Sequence, residues 1–108
     1  MNHNGKERLS VPDRVVLLDI LPQMGDITTV RIVRSLREEL SFTEAEHVKF
    51  GIKALDGRVS WKTSAAKEIE IGPKAREVIV NSFKWLDGQK KLTLVHLEMY
   101  ERFVGKEE

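Results

Sequence analysis

DITTVRIVRSLREEL, residues Asp26 to Leu40, carries the clearest helical period in the chain. Ile27, Val30, Val33, Leu36 and Leu40 recur at three- and four-residue spacing, which places them on one stripe of an α-helix and predicts a core-forming face. Arg31, Arg34 and Arg37 climb the flank of that stripe. Arginines in such a position ordinarily lie in solvent, their aliphatic stems covering apolar neighbours. Their alternative role is recognition of an acidic partner or of phosphates. Glu38, four residues after Arg34, is placed to compensate part of the row through an i,i+4 ion pair.

Upstream, Ser10-Val11-Pro12-Asp13 reads as a helix start, with a capping serine, proline in the first turn and a carboxylate at the positive end of the helix dipole. The helix that follows, through Val15, Val16, Leu17, Leu18, Ile20 and Leu21, is apolar on nearly all sides and is expected at the centre of the core. Pro22 disfavours helical geometry at Leu21 and ends it. Gly25-Asp26 completes the turn, and Asp26 or Thr28 caps the helix beyond. Downstream, Thr43 with Glu46 forms a capping box for a third helix, from Glu44 to about Ala54, with Val48, Ile52 and Leu55 inward and Phe42 stapled near His47 or Val48. Gly51 weakens the middle of that helix by about 1 kcal/mol relative to alanine. One unbroken helix from Thr28 into the forties is the alternative.

Asp56-Gly57 is a turn signal. Arg58-Val59-Ser60-Trp61 and Glu68-Ile69-Glu70-Ile71 then alternate polar and apolar residues, predicting an antiparallel hairpin with KTSAAK (62–67) as its loop. Val59, Trp61, Ile69 and Ile71 would face the helices, because a lone hairpin is marginal in water. Gly72-Pro73 opens a fourth helix with Ala75, Val78, Ile79, Ser82, Phe83 and Leu86 inward, stopped at Asp87-Gly88. A fifth follows a Thr93 cap and carries Leu97, Tyr100, Phe103 and Val104 inward to Gly105. The expected fold is α+β and mainly α: about five helices with one short β-hairpin. Residues 1–9 read as a disordered lead, 10–105 as one compact domain and 106–108 as a charged tail.

Composition narrows the function classes. The 108 residues include no cysteine, which excludes disulfides, thiolate metal sites and a cysteine nucleophile, and fits a reducing compartment. No run approaches the roughly 20 apolar residues that cross a bilayer, and MNHNGKERLS lacks the apolar stretch of a secretory signal. A soluble cytoplasmic protein without membrane association is expected. The 18 basic and 17 acidic residues balance, with eight of each sign in residues 1–54 and ten against nine in residues 55–108. A protein held on nucleic acid through phosphates usually shows a clear basic excess, so this balance weakens a nucleic-acid role while leaving room for a local patch.

Few residues suggest chemistry. His3 lies in the lead, and His47 and His96 sit on separate helices with no second ligand at i+3 or i+4 on the same face, so no metal site is expected. Asp87 to Glu98 has carboxylates at the first and twelfth places of a calcium loop, but Gln89 and Lys91 stand where oxygen ligands belong and Leu92 where glycine must turn the chain. Glu68 and Glu70 share a strand face and read as a solvated pair. No cofactor motif is present, and the chain is not expected to be an enzyme. Trp61 and Trp85 fit inward rows, although Trp85 beside Val80, off the main stripe, is a candidate interface pair.

LLDILPQMGDITTVRIVRSLREELSFTEAE, followed by Trp61, KEIEIG and KKLTLVHLEMYERF, is similar to small uncharacterised open reading frames of bacterial viruses and prophages. That likeness implies no activity and no site residues. At the level of architecture alone, three helices followed by a hairpin resemble a winged-helix domain. In that resemblance residues 44–54 would be the recognition helix and KTSAAK the wing, with Arg31, Arg34, Lys62 and Lys67 toward DNA. The recognition helix would then be mixed in charge and lack Arg or Asn for base edges. The function expected first is therefore a non-catalytic protein-interaction or regulatory module that binds a protein partner or self-associates as a dimer. DNA binding is the alternative.

Overall fold

The computed structural model describes residues 5–105, and these hold four short strands and five helices. In chain order they are β1 (Lys6–Leu9), α1 (Val11–Ile20), α2 (Ile27–Leu40), α3 (Glu44–Phe50), β2 (Lys53–Leu55), β3 (Arg58–Ser60), β4 (Lys67–Glu70), α4 (Pro73–Gly88) and α5 (Leu94–Phe103). The α+β, mainly helical class expected from the sequence is the observed one.

Helix starts follow the local chemistry. Ser10 and Asp13 satisfy each other's backbone N–H groups at the start of α1, and Thr43 and Glu46 do the same for α3. The Asp26 carboxylate accepts from the Thr29 N–H at 2.8 Å, so Asp26 and not Thr28 caps α2. This bond holds the Asp26 carboxyl below its ordinary range. α1 ends before Pro22 and packs against α2, α4, α5 and β1, which makes it the central element. Leu17, Leu36, Leu40, Ile79, Phe83 and Met99 are buried around it. A residue such as Phe83 contributes about 1.5–3 kcal/mol by leaving water.

The strand pairing differs from the expected hairpin. β4 pairs antiparallel not with β3 but with β1, from Lys6 opposite Glu70 to Leu9 opposite Lys67. Part of the supposed disordered lead is thus a strand, with Leu9 fully buried; residues 1–4 and the tail at 106–108 lie outside the described residues. β3 pairs instead with β2 across Asp56-Gly57. KTSAAK is no hairpin loop. It is stitched down by Lys62 and Thr63 N–H groups donating to Phe50 O and by Ser64 Oγ accepting from Val11 N–H.

α3 is also shorter than expected. Gly51 adopts φ +63°, the left-handed conformation that glycine tolerates and that terminates a helix, and the chain turns into β2. Val48, expected inward, is 84 % exposed and Leu55 is exposed too. Phe50 and Ile52 enter a small second core with Val11, against which Val15, Phe42 and Trp61 pack. Val59 is exposed, whereas Ile69 and Ile71 are buried as their alternation implies. Ser41, Phe42 and Thr43 separate α2 from α3, so two helices and not one lie within residues 27–50. On α5 Phe103 is buried and Tyr100 and Val104 pack against the core as expected, but Met99 is buried with them and Leu97 is turned out.

Candidate interaction surface

Arg14 is the one described charged side chain that is fully buried. Burial of a charge is tolerated only when it is paired and hydrogen-bonded, and the fork of this guanidinium is nearly saturated. Nε donates to Leu40 O at 3.1 Å and Nη2 to Ser41 O at 2.8 Å, while Nη1 and Nη2 reach the Glu46 carboxylate at 2.9 and 3.1 Å. Phe42 covers the guanidinium, with the ring centroid 4.1 Å from Cζ. The Arg14 hydrogen bond lowers the Glu46 pKa to about 2. This node fastens α3 to α1 and α2, and its role is structural. The sequence held a signal for it, the lone basic residue of the most apolar helix at the i, i+3, i+6 positions Val11, Arg14 and Leu17.

The other cations singled out by sequence do not converge. Arg34 and Arg37 line an open groove of 690 Å³ beside Val30, Val33 and Pro22. Arg31 borders a different depression with Ser35, Glu39, Glu70 and Lys74. Lys67 pairs with Glu46 at 3.7 Å, and the stem of Lys62 lies against Gly51. The anticipated Arg34–Glu38 bridge is absent, and among the described residues Arg31, Arg34 and Arg37 make no ion pair. Of the two proposed interface residues, Val80 packs against the main core while Trp85 is 58 % exposed. Trp85 therefore does not join the inward row of α4, and the interface pair divides.

What the structure adds is the setting of Trp85. Three depressions meet at Pro22, in the loop joining α1 to α2. One is the groove of Arg34 and Arg37; a second, of 740 Å³, is bordered by Leu21, Met24, Trp85, Leu86, Lys91 and His96; a shallower one of 280 Å³ joins Thr29, Val78 and Trp85. Met24 is 86 % exposed and Ile27 63 %, so the first turn of the α2 stripe overhangs the core and is not covered by it. Lys91 Nζ stands 5.7 Å from the Trp85 ring centroid. The sequence marks Pro22 only as a helix stop and does not mark Met24, because loop residues carry no period.

A second apolar groove, of 390 Å³, runs between α1 and the β2–β3 hairpin, with Val15, Leu18, Phe42, Ala54, Val59 and Val95 along it. His47 and His96 border it as well, and His96 Nδ1 accepts from the Thr93 N–H at 2.9 Å as a cap of α5. Among the described residues, no group of three or more His, Asp or Glu side chains is placed to hold a metal ion, and no helix is long and apolar enough to cross a membrane. No family model, curated protein or solved structure matches the chain.

Proposed function

We propose that the protein is a non-catalytic protein-interaction module, acting in the cytoplasm and of phage or prophage origin, that binds through the surface around Pro22. The observation that carries this reading is the exposure of Trp85 and Met24 on either side of one continuous depression. Large apolar side chains left uncovered together mark interaction sites, and Trp, Met and Arg are the residue types enriched there. Here all three types border Pro22.

The DNA-binding alternative draws on the β2–β3 hairpin that follows α3 directly. It has less support, because Arg31 diverges from Arg34 and Lys67 is engaged by Glu46. A DNA fragment shifted at about 50 mM salt, with affinity falling steeply as salt rises, would favour it.

The interaction reading is tested by sedimentation over a range of concentrations and by affinity capture from source cells, using the wild-type chain and a Trp85→Ala/Met24→Ser variant. Both residues are exposed, so the fold should survive the change. The expected result is a self-association, or a set of co-purifying proteins, that the variant loses. A monomeric wild-type protein whose co-purifying set matches that of the variant overturns the proposal.

A further inference from the structure

We infer that the occupant of the Pro22 surface is an amphipathic α-helix of a partner protein with acidic residues along its edges. The inference rests on the interaction reading and names the chemistry of the partner. α2 turns Val33, Leu36 and Leu40 to the core and leaves Val30, Arg34, Arg37 and Ser41 along the groove. Val30, Arg34 and Arg37 fall at i, i+4 and i+7, a ridge on an uncovered helix face that the C-cap Ser41 ends, and such ridges are what the side chains of a second helix pack beside. The floor continues past Pro22 to Met24 and Trp85, which supplies anchoring positions for an apolar stripe.

Charge selects the edges of that partner. Arg34 and Arg37 stand on one side of Pro22 without a carboxylate partner among the described residues, and Lys91 stands on the other side above Trp85, also without one. Glu38 and Asp19 border the same surface and leave the cations one in excess. Glu38 is the i,i+4 neighbour best placed to neutralise Arg34, yet no bridge forms. The guanidinium forks, suited to bidentate carboxylate recognition, therefore remain open to glutamates or aspartates from outside.

The probes are two synthetic helical peptides of about 16 residues, roughly 24 Å long, sharing one leucine stripe. One carries glutamates along both edges of the stripe and the other carries lysines. Binding is read by fluorescence anisotropy and mapped by amide and indole NMR shifts on the wild-type chain. The expected result is that the glutamate peptide binds, moves the Val30, Arg37 and Trp85 signals, and binds the Arg34→Glu/Arg37→Glu variant at least about tenfold more weakly, the sum of two exposed ion pairs near the top of their usual range. Two further outcomes overturn the acidic partner while leaving the interaction reading intact: equal binding of the lysine peptide at the same surface, or self-association through Trp85 that the glutamate peptide does not displace. Shifts confined to the groove between α1 and the hairpin overturn it as well. If neither peptide binds and the Trp85→Ala/Met24→Ser variant retains every wild-type association, both readings fail.

Discussion

Glu46 performs three tasks with one carboxylate: it accepts the Thr43 N–H that caps α3, pairs with buried Arg14, and lies near Lys67. Removing its charge leaves the buried Arg14 guanidinium with neutral acceptors, the Leu40 and Ser41 carbonyls among them, and no counter-ion. The substitution Glu46→Gln is therefore expected to destabilise the protein by about 3 kcal/mol, the scale of a broken buried ion pair, measured by urea unfolding at neutral pH. Its pH dependence follows from the same bond. The folded carboxyl titrates near pH 2 against an ordinary 4.5, so the unfolded chain takes up the proton first as pH falls. The stabilisation is fully present above about pH 4.5 and is lost on acidification toward pH 2. The wild-type and Glu46→Gln stability curves should accordingly converge across that window. Parallel curves would show that the pair contributes nothing specific.

At the scale of elements, the chain announces its helices more clearly than its strand partners. Capping chemistry is local: Ser10/Asp13, Thr43/Glu46 and Gly72-Pro73 each specify a boundary within four residues, and each boundary lies where that chemistry places it. Alternation likewise marks Ile69 and Ile71 as inward. It is silent on which strand lies alongside, and β4 pairs with β1, some 60 residues earlier, a register no local pattern encodes. Gly51 was legible as a weak point but not as a terminus. A helix tolerates an interior glycine for about 1 kcal/mol, so only the left-handed φ distinguishes the two. That difference is testable. Gly51→Ala should cost at least about 1–2 kcal/mol from the left-handed backbone, and more because the added methyl meets Lys62 Cγ at 3.1 Å and Cβ at 3.3 Å, where the Lys62 backbone is held by its bond to Phe50 O. Gly88→Ala, at the end of α4 with open space around it, serves as the control and should be neutral or slightly stabilising. Equal effects of the two substitutions in thermal unfolding would remove Gly51 as the stop of α3.

At the scale of the whole molecule, the partition of the core explains why the interaction surface was only half readable. The stripe of α2 is a single pattern in sequence, yet its first turn, Ile27 and Val30, projects beyond the bundle while Val33, Leu36 and Leu40 are covered. Amphipathicity reports an apolar face without reporting how far the neighbouring elements extend along it. The same partition has a dynamic consequence. The large cluster unites α1, α2, α4 and α5 with the β1–β4 sheet, whereas α3 and the β2–β3 hairpin rest on Val11, Phe50 and Ile52 and on the Arg14–Glu46 node. Segments with few buried apolar contacts open at a lower free energy than the global unfolding of the chain. Amide hydrogen exchange should therefore show α3, β2 and β3 opening together while α1 and α4 remain protected. Arg14→Met replaces the charge by an apolar side chain and leaves Glu46 hydrated at the edge of the node. In that variant, exchange of the α3 amides should quicken at least about tenfold, equivalent to roughly 1.4 kcal/mol of lost attachment, and by more than exchange in α4. Uniform acceleration throughout the chain would mean that the two clusters unfold as one cooperative unit. Selective acceleration would establish α3 and the hairpin as a unit that opens separately, held against the bundle by the small second core and the buried Arg14–Glu46 pair.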